Sequence, residues 1–114
     1  MSFKSDNDLQ LRKSESYKII QKYSKRIPII IEKNTGCLLN DIDKKKYLVP
    51  DDLTMNQFMY IIRKRVKVSN SQSIFFLINN KMCPSNTAMR TIYDDNKDED
   101  GFLYIIYTSE NTFG

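Results

Sequence analysis

The chain has 114 residues, 40% of them hydrophobic and 28% charged, and a net charge of +4. That length and balance fit one globular domain with a single modest core and exclude a disordered polyelectrolyte. With no histidine, Ser-His-Asp and Cys-His catalysis and imidazole metal sites are also excluded.

Two cysteines, Cys37 and Cys83, are too few for a disulfide scaffold and point to a reduced, cytosolic chain. The longest apolar runs, 27–31, 74–78 and 102–107, fall far short of the about 18 residues that span a bilayer. The N-terminal MSFKSDNDLQ is polar and mixed in charge, unlike a signal peptide. Membrane attachment would therefore have to be covalent or through a partner.

Residues 8–23 read as a helix, with Tyr17, Ile20 and Tyr23 at helical spacing. Residues 26–33 (RIPIIIEK) read as a buried strand, because β-branched isoleucines suit a pleated surface. Pro28 donates no hydrogen bond, so it belongs near the strand start or at an unpaired position. Asn34, Thr35 and Gly36 make a turn. Residues 45–50 (KKYLVP) alternate, with Lys46 and Leu48 facing one way and Tyr47 and Val49 the other. The lysines and terminal Pro50 mark an edge strand.

Thr54 and Gln57 form a T-x-x-Q capping box, with Leu53 and Phe58 placed for a hydrophobic staple. Met55, Phe58, Met59, Ile62 and Val66 then share one helical face. Residues 74–79 read as a third strand and Asn79-Asn80 as a turn. Residues 87–93 read as a short helix with Met89, Ile92 and Tyr93 inward. An acidic loop, 94–101, leads to a last strand at 102–107. Residues 108–114 lack periodicity and read as a loose tail. The order is that of an α+β sheet with helices on one face, as in the β-grasp of ubiquitin. We divide the chain into an N-terminal helical extension (1–25), a β-grasp core (26–107) and a tail (108–114).

Residues 43–50 (DKKKYLVP), followed by Asp52-Leu53-Thr54, Gln57-Phe58 and IRKR at 62–65, closely resemble the autophagy-related ubiquitin-like modifiers. The gamma-aminobutyrate receptor-associated protein and the microtubule-associated light chain proteins represent this family. Residues 26–33, the Phe-Phe-x-x-Asn-Asn run at 75–80 and EDGFLY at 99–104 match as well, so the likeness covers roughly residues 12–114.

The resemblance implies a β-grasp preceded by two additional N-terminal helices, with no catalysis and no cofactor. It implies that activating and transfer enzymes of the autophagy system join a C-terminal glycine, here Gly114, to phosphatidylethanolamine. It also implies binding of cargo receptors through an aromatic-x-x-aliphatic motif added to the edge strand. The positions matching the pocket for the motif's aromatic residue are Glu15, Ile19, Pro28, Ile30, Lys46, Leu48 and Phe102. Those matching the aliphatic pocket are Tyr47, Val49, Pro50, Leu53, Phe58, Ile61 and Ile62. Arg26, Lys44, Lys46 and Arg65 would meet acidic residues flanking the motif. Read without the resemblance, Leu48, Phe58, Ile62 and Phe102 would be core residues, and lysines 44–46 a solvated edge.

Most relatives carry residues beyond this glycine that a protease removes. A chain stopping at Gly114 is either made ready for activation, as in apicomplexan relatives, or has been shortened. The expected molecule is a monomer, cytoplasmic when free and on autophagosomal or other organelle membranes, the apicoplast among them, when lipidated. Lys13, Lys18, Lys22, Lys25 and Arg26 give the first helix a basic character. By resemblance that face meets anionic lipid or tubulin tails, and by the plainer reading it is solvated.

The chain departs from the family at Ser24, where most relatives have proline, so the approach to the first strand is expected to be looser. It departs again at residues 34–40 (NTGCLLN).

Three other functions fit parts of the sequence. The modifier could target protein lysines instead of lipid. A pI near 9.0 and the basic cluster at 63–67 suggest nucleic acid; that partner is not expected, since the cations form no single stripe and the acidic loop repels phosphate. Cys37 or Cys83 as an enzymatic nucleophile lacks a histidine to activate it.

Overall fold

The computed structural model describes residues 2–109. In chain order it contains α1 (Phe3–Asp6), α2 (Leu9–Lys22), β1 (Arg26–Lys33), β2 (Lys46–Pro50), α3 (Met55–Val66), β3 (Phe75–Ile78), β4 (Lys81–Met82), α4 (Met89–Asn96) and β5 (Leu103–Thr108). The five strands form one sheet in the order β2-β1-β5-β3-β4. β1 pairs antiparallel with β2 and parallel with β5, so the first long strand and the last lie side by side at the centre.

β1 occupies the expected residues. Its Ile31 N–H donates to the Lys45 carbonyl at 2.8 Å, so odd-numbered N–H groups face β2. The Pro28 ring nitrogen therefore faces the other way, just ahead of Ile29↔Leu103, where pairing with β5 begins. A proline is thus tolerated in a central strand. The approach to β1 is closed by Arg26 N–H donating to the Tyr23 carbonyl at 3.0 Å, and the Ser24 carbonyl accepts from Arg90 Nη2 at 3.1 Å. Ser24 is not a point of looseness.

α3 begins as read from the sequence. The Gln57 N–H donates to Thr54 Oγ1 at 3.2 Å, and the Thr54 N–H to Gln57 Oε1 at 2.9 Å. Met55, Phe58, Ile62 and Val66 are buried, whereas Met59 is only partly so. Asn79 and Asn80 both have positive φ, 51° and 65°, and turn β3 into a hairpin with the two-residue β4, a strand the sequence reading missed. α4 starts later than expected and runs through Asp94, Asp95 and Asn96, which the reading placed in a loop.

The main core holds Ile27, Ile29 and Ile31 of β1, the inward residues of β2, β3 and β5, and the buried faces of α3 and α4. Cys37, Leu39 and Ile42 from the β1–β2 connection join it, so the stretch that departs from the family is a core segment. The expectation of helices on one face alone does not hold. α1 and α2 lie over the opposite face, where Ile30 and Phe102 are buried outside the main core. A four-residue helix such as α1 does not persist by itself. It is held by Phe3, whose ring packs edge-on against Phe102 at 5.3 Å and whose N–H donates to Glu32 at 2.9 Å. Residues 110–114, which include Gly114, expected from the resemblance to be the conjugation position, lie outside the described residues.

Candidate functional site

β2 is an edge strand. Because its odd residues pair with β1, the N–H and C=O groups of Lys46 and Leu48 point away from the sheet. One of these outward carbonyls, that of Leu48, accepts from Arg26 Nη1 at 3.2 Å. The edge can therefore take a further extended chain, with side chains of alternate residues directed to the two faces.

On one face, Pro28 stands opposite Leu48 and Ile30 opposite Lys46. Phe102, fully buried, lies on the same face one residue before β5. α2 covers this surface, with Ile19 half-buried and Glu15 bonded to the Lys46 ammonium. The apolar members of this set gather on one face of the sheet under α2, Pro28, Ile30 and Phe102 being buried, with the Glu15–Lys46 ion pair beside them. Burial pushes the Lys46 ammonium pKa down, and its Nζ lies 5.5 Å from the centre of the Phe3 ring.

On the other face, Tyr47 and Val49 turn into the main core. The Tyr47 ring meets Phe58 edge-on at 5.7 Å. Phe58 and Ile62 are fully buried, Leu53 partly, and Ile61 is 41% exposed. The buried members form a floor, so only Leu53, Ile61 and the rims of Tyr47 and Val49 are open to contact. Pro50 departs from its expected set: its register with Arg26 puts it on the face of Leu48, exposed at the strand end.

Of the cations expected near the site, Lys44 lies over the Tyr47 ring at 4.9 Å and Arg65 pairs with Asp43 at 3.5 Å. The Tyr47 hydroxyl is buried near the Arg65 guanidinium. Burial raises its pKa, against the pull of the Arg65 charge.

Sequence reasoning missed Phe3, Arg12 and Asp100, which adjoin this face: Phe3 packs on Phe102, and Asp100 accepts from Arg12 and from the Phe102 N–H. Phe3 is an isolated aromatic in a polar segment, and Asp100 is one acid in a run of acids. Among the described residues no group of three or more His, Cys, Asp or Glu could hold a metal, and no helix is long and apolar enough to cross a membrane.

A β-grasp sheet with additional N-terminal helices on its second face defines a ubiquitin-like protein. The family model "Autophagy protein Atg8 ubiquitin like" matches residues 11–114. Autophagy-related protein 8e of Arabidopsis thaliana is 54% identical over 112 residues, covering 98% of this chain and 92% of the relative. Autophagy-related protein 8B of Oryza sativa subsp. indica is 53% identical over 113 residues, covering 99% and 95%. The crystal structure of Trypanosoma brucei ATG8 superposes with a TM-score of 0.92 at 38% identity, covering 100% of this chain and 98% of that one. The chain belongs to the Atg8 family of ubiquitin-like autophagy proteins.

Proposed function

We propose that this chain is a non-enzymatic modifier, conjugated through Gly114 to phosphatidylethanolamine by the activating and transfer enzymes of autophagy. It is cytoplasmic and monomeric when free. On the autophagosomal or a related organelle membrane it acts as an adaptor for proteins carrying an aromatic-x-x-aliphatic motif.

The outward backbone groups of Lys46 and Leu48 carry this reading, because they are flanked by one apolar site on each face of the same strand. A peptide added there would place the motif's aromatic residue in the trough of Ile19, Pro28, Ile30, Leu48 and Phe102. Three residues on, its aliphatic side chain would reach Leu53 and Ile61. Backbone bonds supply affinity and the two pockets supply specificity.

The test is calorimetric titration with a W-x-x-L peptide. Binding at low-micromolar Kd, about −8 kcal/mol, is expected. The Lys46→Glu, Leu48→Ala double variant should weaken it severely, and unchanged binding would remove the edge-strand site. Reconstituted conjugation tests the other half: a lipid adduct supports the reading, and a ladder on protein lysines replaces it with a protein modifier.

A further inference from the structure

We propose that Arg12, Asp100 and Tyr104 are positioning residues that set the width of the aromatic trough. This rests on the peptide-binding reading above.

The observation behind it is an unusual division of labour in α2. Its only buried residues are Arg12 and Ser16, both polar. Both bond to Asp100, in the loop before β5. The Asp100 side chain is completely buried and accepts from Arg12 Nε at 2.9 Å, the Tyr104 hydroxyl at 2.5 Å and the Phe102 N–H at 2.9 Å. Ser16 Oγ donates to the Asp100 carbonyl. Arg12 also reaches back, its Nη1 donating to the carbonyls of Lys4 at 3.1 Å and Asn7 at 2.7 Å.

One carboxylate therefore ties together α2, the turn from α1 and the start of β5. The approach at this point is close: a Cβ on Gly101, whose φ is +92°, would collide with the Ser16 side chain.

Glu15 and Ile19 lie three and seven residues beyond Arg12, on the same side of the helix. In the peptide-binding reading they face Pro28, Ile30 and Leu48 across the space that takes the aromatic residue. A helix seated by apolar contact can slide along a greasy face, whereas one seated by a fixed fork of hydrogen bonds has a single register. The gap that receives the aromatic side chain is thus set about two turns away, at Asp100. Phe102, bonded through its N–H to the same carboxylate, supplies the floor.

The test uses the full chain and chemical-shift titration, which reads weak as well as strong binding. The ligands are a W-x-x-L peptide and its counterpart with alanine in place of tryptophan. Asp100→Asn should weaken the tryptophan peptide about tenfold. It should leave the alanine peptide within about twofold, because only the aromatic senses the width of the trough. Arg12→Lys and Tyr104→Phe, which keep part of the network, should lose the same preference to a smaller degree. They carry the test if Asp100→Asn does not fold.

Equal loss for both peptides would mean that the cluster only stabilises the fold, and would overturn the proposal. So would undiminished tryptophan binding in Asp100→Asn or, should that variant not fold, in both milder variants. If the wild-type chain fails to prefer tryptophan, the peptide-binding reading falls as well. If it prefers tryptophan and the variants do too, this proposal falls alone.

Discussion

Glu15 of α2 and Lys46 of β2 form an ion pair between the N-terminal helix and the edge strand, beside the proposed site for the motif's aromatic residue. Both side chains keep about a third of their surface in water, so the pair contributes little to stability. Its consequence is for binding. A peptide with acidic residues beside its aromatic must draw Lys46 away from Glu15. We predict that Glu15→Gln raises the association rate of such a peptide about two- to threefold at low salt, an advantage that fades as ionic strength rises. Stopped-flow mixing at two salt concentrations checks this. Equal rates at low salt would mean that Lys46 does not receive the acidic flank.

The capping box of α3 lies beside the aliphatic site but outside it. Thr54→Ala removes the acceptor for the Gln57 N–H and should cost about 1 kcal/mol. That corresponds to a fall in Tm of about 4–8 °C for a domain of this size. Peptide affinity at a temperature where the variant is folded should stay within about twofold of wild type. A large affinity loss would place the cap inside the site.

Phe58 is a fully buried core residue, with ring contacts to Tyr47 at 5.7 Å and Phe76 at 5.9 Å, and it lies under the proposed aliphatic site. Truncation to alanine should cost about 3–5 kcal/mol, a large share of the roughly 5–15 kcal/mol available to a domain. Phe58→Leu keeps most of the volume and should cost less than about 1.5 kcal/mol. Urea unfolding of the two variants separates the cases. Similar midpoints for both would contradict the packing described here.

The N-terminal helix should respond to acid. Burial by itself would raise the Asp98 carboxyl, but the Lys4 ammonium and the Asp100 N–H hold it below its ordinary value. A carboxyl whose pKa is depressed by folding stabilises the fold above its unfolded pKa of about 3.9. That contribution is lost as pH falls through the lower, folded value. Amide exchange at Lys4–Asn7 should therefore accelerate, relative to the intrinsic rate, as pH drops below about 4. Lys4→Met should remove this acid-dependent step. Persistence of the step in that variant would assign it to another group.

The sequence was most readable where local and tertiary preferences agree. β1 is a run of isoleucines, and α3 carries both its cap and a continuous apolar stripe, so their positions follow from the residues alone. β4 has two residues and α1 has four, too few for any periodicity. One exists through the Asn79-Asn80 turn and the other through Phe3 on Phe102. α4 runs further than its apolar residues indicate because Arg90 and Asp94, a turn apart, pair at 3.7 Å and carry the helix into the acidic run.

The candidate site was legible by resemblance, and its two-sided arrangement by strand alternation. Its support was not, because Arg12 and Asp100 are 88 residues apart in the chain and each looks like an ordinary surface charge.

The parallel pairing of β1 with β5 has a consequence for biosynthesis. Asn34, just past the end of β1, meets Thr108 at the end of β5 across 74 residues of chain. The central strand therefore waits with one flank unpaired until residues 103–108 have left the ribosome. Such long-range closure is slow and exposes an isoleucine-rich strand in the meantime. The nascent polypeptide must thus be kept from aggregating until residues 103–108 are free to pair with β1.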